Sequence, residues 1–344
     1  MAIRMGLVGY GDGGQLFHAP YIQASPECEL VGVVARSEAS IARVRDDLPG
    51  VSAYPSLTDL LDAGVDAVVV STPPQTRRAL VLEALERGVA VVADKPFAPT
   101  GADGQRLADR AREYGALLNV FHNRRQDTDI VTARRVIDSG RLGSLRGLDL
   151  RLDLDEPETL EAGESGGLLR DLGSHVVDQA IHLMGPVRAV TAQLSWIDLP
   201  EGRTDAGLAL VLEHGSGAVS RVSASKTNHL VSKELRVYGS EGSYTSDYSD
   251  VQIDAIRRGA RPSEDREAWG FEDRARWGVL RTDDGATIVP SEQGDYTVYY
   301  DEFGRAVSQG GPGPVPAEEG VAVLRVLDAV RRSDRERRTV VVDG

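Results

Sequence analysis

The spacing of apolar positions changes character near residue 121. Before it, short and almost continuously apolar runs occupy residues 3–8, 29–35, 65–71, 89–93 and 117–121. Charged or amphipathic stretches of helical length separate them, as at 75–87, where Ala79, Leu80, Leu82 and Leu85 are apolar and Gly88 supplies the stop, and at 101–114. Strands that alternate with helices predict a parallel sheet, and apolar runs without alternation predict strands covered on both faces. After residue 121 the pattern becomes a helix over 128–139, a strand near 145–154, and a helix over about 167–184. Alternating strands follow from 187 to 248, which predicts a mostly antiparallel sheet with one face buried and one open. Residues 254–285, with Trp269 and Trp277, read as a long charged excursion, and 310–316 as a Gly/Pro hinge. The last helix, 317–332, places Val323, Val326, Leu327 and Val330 on one face. The expected architecture is α/β: a parallel sheet covered by helices on both faces over 1–121, then a second domain over 122–344 with a mostly antiparallel sheet open on one face.

Composition narrows the function. A chain of 344 residues is long enough for two domains. Its formal net charge of −14 repels phosphate backbones and anionic lipid, so neither nucleic acid nor membrane is expected as a partner. One cysteine, Cys28, excludes an internal disulfide and a multi-cysteine metal site, and fits a reducing compartment. No run approaches the ~20 apolar residues of a membrane span, and the first residues do not read as a signal peptide. The expectation is a cytoplasmic protein.

The first strand ends in Gly9-Tyr-Gly11-Asp12-Gly13-Gly14, a G-x-G-x-x-G turn in the position that binds dinucleotides. Gly9 allows the tight turn, Gly11 lets the backbone approach a pyrophosphate, and Gly14 lets helix and strand pack closely. The following backbone N–H groups, through Asp12 and Gly13, face the anion. At the end of the second strand an acidic residue would select NAD(H). Ala35 stands there instead, followed by Arg36 and Ser37, which suit a 2′-phosphate, with Glu38 working against them. NADP(H) is therefore favoured and NAD(H) is the alternative. Thr72 and Pro73, after the next strand, and Lys95 and Pro96, after the one that follows, join the cofactor-binding set.

Two further features carry chemistry. Asp94-Lys95-Pro96 lies at the C-terminal end of a parallel strand, the edge where open α/β sheets bind ligands. In 166–182, Asp171 and His175 stand one helical turn apart, about 40° around the axis, as a pair suited to proton transfer. A carboxylate beside the imidazole would orient it and raise its pKa. Asp178 and His182 continue the stripe and read as a polar seam at the domain junction. No zinc-type spacing accompanies Asp171, His175 and His182, so no metal is expected.

Together these residues resemble the Gfo/Idh/MocA oxidoreductases over nearly the whole chain. The family's Glu-Lys-Pro step appears as Asp94-Lys95-Pro96, and its Asp-x-x-x-His as Asp171 and His175. Phe17-His18-Ala19-Pro20 and Asn123-Arg124-Arg125 look like the branch of inositol dehydrogenase-like and sugar reductase-like members. The resemblance implies a doubly wound Rossmann domain over 1–121 and a C-terminal α/β domain over 122–344 with a large, mostly antiparallel open sheet. It implies hydride transfer between a nicotinamide and a secondary alcohol or ketone of a sugar, cyclitol or related polyol, in a homodimer or homotetramer packed through the C-terminal sheet. It implies His175 as general base or acid, Lys95 as stabiliser of alkoxide charge, and Asp171 as orienter of His175 or ligand of a neighbouring hydroxyl. Asn123 and Arg124 would line the pocket, and Lys226 is a weaker pocket residue. The chain departs from the family at Asp94, at Gln75-Thr76-Arg77 where a histidine is common, and in the acidic loop 152–165, which makes phosphorylated or carboxylated substrates less expected. Two other classes keep the same motifs: a non-catalytic NAD(P)-binding sensor, and a lyase or hydrolase that oxidises and re-reduces one sugar.

Overall fold

In a computed structural model, residues 1–163, 166–247 and 250–343 are described. Glu164 and Ser165 of the acidic loop, Tyr248 at the end of the strand-rich region, Ser249 and the last residue, Gly344, lie outside them.

The N-terminal half builds a six-stranded sheet from β1 (Ile3–Val8), β2 (Cys28–Val34), β3 (Ser52–Tyr54), β4 (Ala67–Val70), β5 (Ala90–Asp94) and β6 (Leu118–Phe121). Every pairing is parallel and the order is β3-β2-β1-β4-β5-β6. The central strands β4 and β5 are buried along nearly their whole length, as their unbroken apolar sequence requires. Helices α1 (Ala19–Ala24), α2 (Glu38–Asp47), α3 (Leu57–Asp62), α4 (Pro74–Glu86) and α5 (Gly101–Tyr114) connect them. Ser37, Ser56 and Thr100 cap α2, α3 and α5 by accepting the amides of Ser40, Asp59 and Asp103, each cap worth about 1 kcal/mol. The strand order reverses between β1 and β4. Loops leaving the carboxyl ends of those two strands diverge there and open a crevice. The glycine turn and Thr72–Pro73 are those loops.

The second half builds a nine-stranded sheet in the order β14-β13-β12-β11-β7-β10-β9-β8-β15. Its strands are β7 (Leu145–Asp153), β8 (Val187–Leu199), β9 (Gly202–His214), β10 (Val219–Ser225), β11 (Ser232–Gly239), β12 (Gly242–Asp247), β13 (Gly278–Thr282), β14 (Gly285–Val289) and β15 (Val340–Val341). Among the described residues only β7 and β10 pair in parallel in this sheet. Helices α7 (Leu168–Met184) and α10 (Ala317–Glu336) cover one face. The other face stays open and carries Thr191, Gln193 and Val211 to the surface. Helices α6 (Thr128–Asp138), α8 (Val251–Arg257) and α9 (Thr297–Gln309) complete the chain.

Three expectations change. Residues 254–285 are not one excursion, because β13 and the start of β14 extend the sheet from within them. Trp269 is core: it is buried against the edge of Tyr21 and donates its indole N–H to Gln252. The Gly/Pro stretch at 310–316 is no free hinge, since Asn119 accepts from Val315 N and donates to Pro312 O, each at 2.9 Å. Helix α9 had no clear apolar run to announce it. Its buried face is aromatic (Tyr299, Tyr300, Phe303) and closes over Phe121 and His18.

Candidate active site

A cavity of about 1000 Å³ lies between residues of the two halves of the chain. Its wall joins Gly13, Phe17, Asp94 and Lys95 of the first half to Asn123, Arg124, Asp171, His175, Lys226 and Lys233 of the second. The remaining sequence-predicted cofactor residues border the crevice rather than the cavity. Gly9, Gly11, Asp12 and Gly14 form the turn after β1, Arg36 and Ser37 follow β2, Thr72 and Pro73 follow β4, and Pro96 follows β5.

The glycine turn discriminates between packing and binding. A Cβ on Gly9 would collide with Ser71 O, and Gly9 has φ +105°, so the fold itself demands that glycine. A Cβ on Gly14 would meet Gly9 O. Gly11 differs: nothing lies within 4 Å of where its Cβ would be. The protein leaves open space at the one position where a pyrophosphate must approach the backbone, so the turn fits a dinucleotide. Arg36 is exposed beside the crevice, while the Ser37 hydroxyl is committed as the cap of α2.

Arg77, read from sequence only as a departure, is buried under the crevice and donates to the carbonyls of Thr72, Asp94 and Pro96 at 2.6–2.8 Å. It ties the loops after β4 and β5 together across the cis Lys95–Pro96 bond. The Asp94 carboxylate accepts from Lys95 N at 2.8 Å and from the Ser71 hydroxyl at 3.0 Å. Burial alone would raise its pKa. His18, whose Nε2 stands 3.5 Å away, with Arg77 and Lys95, outweighs burial and holds Asp94 well below the usual carboxylate range. His18 in turn shares its Nδ1 with the Tyr300 hydroxyl at 2.5 Å. Sequence reasoning saw His18 only as part of a motif. Its partners lie 76 and 282 residues away, and the available signal was its position one turn beyond the glycines.

Asp171 and His175 both reach the cavity wall, but they do not form the expected pair. No hydrogen bond joins them. Lys95 Nζ binds Asp171 Oδ1 at 2.9 Å and Lys226 Nζ binds Oδ2 at 2.7 Å. The two ammonium groups outweigh the desolvation of Asp171 and keep it ionised, well below its ordinary pKa. His175 is buried, and its Nδ1 has no hydrogen-bond partner. Burial first, then the cations Lys95, Arg124 and Lys233, push its pKa well below 6.5, the opposite of the shift a carboxylate partner would cause. Of the two expected arrangements, contact with each other or with one shared molecule, the direct hydrogen bond is absent, because one helical turn brings two residues near each other without deciding what else claims them. Here two lysines from outside the helix claim Asp171.

Arg124 bridges Asp127 and Asp250 at 3.1 Å each, and Lys233 reaches Asp250 at 3.3 Å. Further along α7, Asp178 is sealed at 1 % exposure against Arg125, which also binds Glu319 at 2.6 Å. His182 stays partly exposed, and burial pushes its pKa to about 4. The acidic loop contributes Leu154, Asp155 and Glu156 to the cavity wall. Carboxylates and cations line the cavity in nearly equal number, and an alternation of donors and acceptors suits a neutral polar molecule.

Comparison with known proteins agrees with this architecture. Residues 3–122 match the family model described as the oxidoreductase family, NAD-binding Rossmann fold, and residues 134–342 match the same family's C-terminal alpha/beta domain. The scyllo-inositol 2-dehydrogenase (NADP(+)) IolW of Bacillus subtilis is 29% identical over 99% of this chain and 96% of its own length. The oxidoreductase YdgJ of Escherichia coli is 32% identical over 98% of each. A solved oxidoreductase structure from Bacillus subtilis, YvaA, superimposes with a TM-score of 0.91 at 29% identity, covering 100% of this chain and 99% of that one.

Proposed function

The chain belongs to the Gfo/Idh/MocA oxidoreductase family, and from that premise we propose that it oxidises a secondary alcohol, or reduces the matching ketone, of a neutral cyclitol, sugar or related polyol. The observation that carries this reading is the Lys95–Asp171–Lys226 cluster with buried His175 beside it, all facing one cavity that adjoins the glycine turn. A bound nicotinamide dinucleotide supplies the hydride acceptor or donor. The chain's own residues manage the oxygen and its proton. Lys95 donates to the reacting oxygen and stabilises negative charge as the O–H proton leaves. His175, neutral because its pKa is depressed, takes that proton in oxidation and returns it in reduction. Asp171 holds the Lys95 ammonium in place rather than orienting His175. Asn123 and Arg124 line the substrate side.

Exposed Arg36, the absence of an acid at Ala35 and the NADP(+) dependence in the name of IolW favour NADP(H) over NAD(H). The open face of the nine-stranded sheet, with Thr191, Gln193 and Val211 exposed along a groove of about 660 Å³, supports a homodimer or homotetramer packed through it. A cytoplasmic location is part of the same reading. Among the described residues no helix is long and apolar enough to cross a membrane.

The test is calorimetric titration with NADPH and NADH, followed by a polyol panel with the tighter cofactor in its oxidised form. The reading expects tighter NADPH binding and net NADPH formation with at least one polyol. Product without net NADPH would make it a transient-redox lyase or hydrolase. Binding without any turnover would make it a sensor.

A further inference from the structure

Lys226 has no part in the sequence-derived catalytic set, yet its environment is a built one. It follows β10 directly, is 4 % exposed, and lines the cavity. Its ammonium donates to Asp171 Oδ2 at 2.7 Å and to the Thr159 hydroxyl at 2.6 Å. An ammonium carries three protons. Two are used, and neither donor–acceptor pair removes the group from the cavity wall. Lys95 makes the mirror arrangement on Asp171 Oδ1 at 2.9 Å and on Asp171 O at 3.3 Å. Two cations from different sheets therefore flank one carboxylate, and the cluster keeps one positive charge more than it neutralises. A buried lysine is costly unless its protons find acceptors, so the third proton is a specific demand on whatever fills the cavity.

We infer that Lys226 is a specificity-determining residue that binds the oxygen on the carbon next to the reacting one. The inference rests on the proposed reading, in which Lys95 holds the reacting oxygen. The two ammonium groups sit on the two oxygens of a single carboxylate. That spacing keeps them within reach of oxygens on neighbouring carbons. The substrate is thus a vicinal diol, or the α-hydroxy ketone made from it. Asp171, between the lysines, offers its remaining lone pairs to the same two hydroxyls. The neighbouring oxygen stays unchanged through the reaction: the C–H and O–H bonds broken are those of the carbon and oxygen beside Lys95.

The experiment uses the full-length enzyme with NADP+ and scyllo-inositol, myo-inositol, D-glucose and D-xylose. The best of these is then compared with its analogue lacking the hydroxyl on the carbon adjacent to the oxidised one. The wild type should prefer the parent by about 30-fold or more in kcat/KM, the scale of a charged hydrogen bond to a substrate hydroxyl. Lys226→Met should lose about 30-fold on the parent and no more than about threefold on the deoxy analogue. NADPH affinity should stay within about threefold. Lys226→Gln, which keeps a donor, should restore part of the preference. Equal losses on both substrates would make Lys226 merely a support for Asp171 and overturn the assignment. So would unchanged kinetics in Lys226→Met. If the variants do not fold, a wild type that accepts both substrates equally overturns it alone. If the wild type oxidises none of the four, the reading of the site falls and this assignment falls with it.

Discussion

Helix α7 carries two ionised aspartates two turns apart, and they do opposite work. Asp178 is sealed from solvent and held by Arg125 through three contacts of 2.6–3.2 Å. Arg125 passes the link on to Glu319 of α10, so this pair staples α7 to α10. Asp171 holds two lysines instead of one arginine, and its carboxylate stays open to the cavity. Both carboxyls lie below their ordinary pKa because cations outweigh desolvation, so charge pairing alone does not separate them. What separates them is spare capacity. The guanidinium of Arg125 spends its donors on protein carboxylates, whereas Lys95 and Lys226 keep a proton each for a molecule in the cavity. A buried ion pair is architecture when it is saturated, and a site when it is not.

The largest expected effect breaks the saturated pair. Arg125→Met leaves Asp178 buried without its partner and should cost about 3–5 kcal/mol of stability, read as a shift in the urea midpoint at constant m-value. A shift below about 1 kcal/mol would mean that Asp178 is rescued by His122 or by water.

The open cluster should respond in rate rather than stability. Lys95→Met is expected to lower kcat by about 10²–10³-fold, the usual cost of losing one donor to a developing oxyanion. NADPH binding should weaken by no more than about threefold. Near-normal turnover would remove Lys95 from the chemistry and erase the contrast with Asp178.

The smallest effect sharpens the contrast through pH. His175 is needed neutral for oxidation, so kcat/KM should hold as pH falls to 6.5 and decline only below it. His122 and His182 are also pushed down by burial, to about 4. A histidine with a lowered folded pKa binds its proton first in the unfolded state. Each such histidine therefore takes away stability as pH drops from 6.5 toward 4, by up to about 1.4 kcal/mol per pH unit, and His122, His175 and His182 together outweigh the opposing Asp129. Denaturation curves at pH 7.5, 6.5 and 5.5 measure this. Asp171 and Asp178 contribute nothing in that window, because their pairing is lost only below pH 3.8. Asp129, pushed up to about 8 by burial and by Asp127, keeps its proton in the folded state and offsets about one of these histidines.

Much of this was readable in the chain itself. Strands of unbroken apolar residues, helices of period 3.6 and glycines at a turn are local consequences of backbone sterics and burial. They announced the parallel sheet, the α7 helix and the crevice at the end of β1. Local signals failed where burial came from elsewhere. Helix α9 buries a face of tyrosines and a phenylalanine mixed with Thr297, Asp301 and Gly304, so no aliphatic run marks it, and β13 and β14 are short and partly exposed. The site divides along the same line. The sequence by itself determined that Lys95 ends a strand and that Asp171 and His175 share a helical face, because those facts depend on neighbours a few residues away. Only the tertiary structure decided that Asp171 answers to Lys95 and Lys226, across 76 and 55 residues, and that His175 is buried among cations. Ion pairing and desolvation depend on which surfaces meet, and that is settled by how the two halves of the chain pack, which no local pattern encodes.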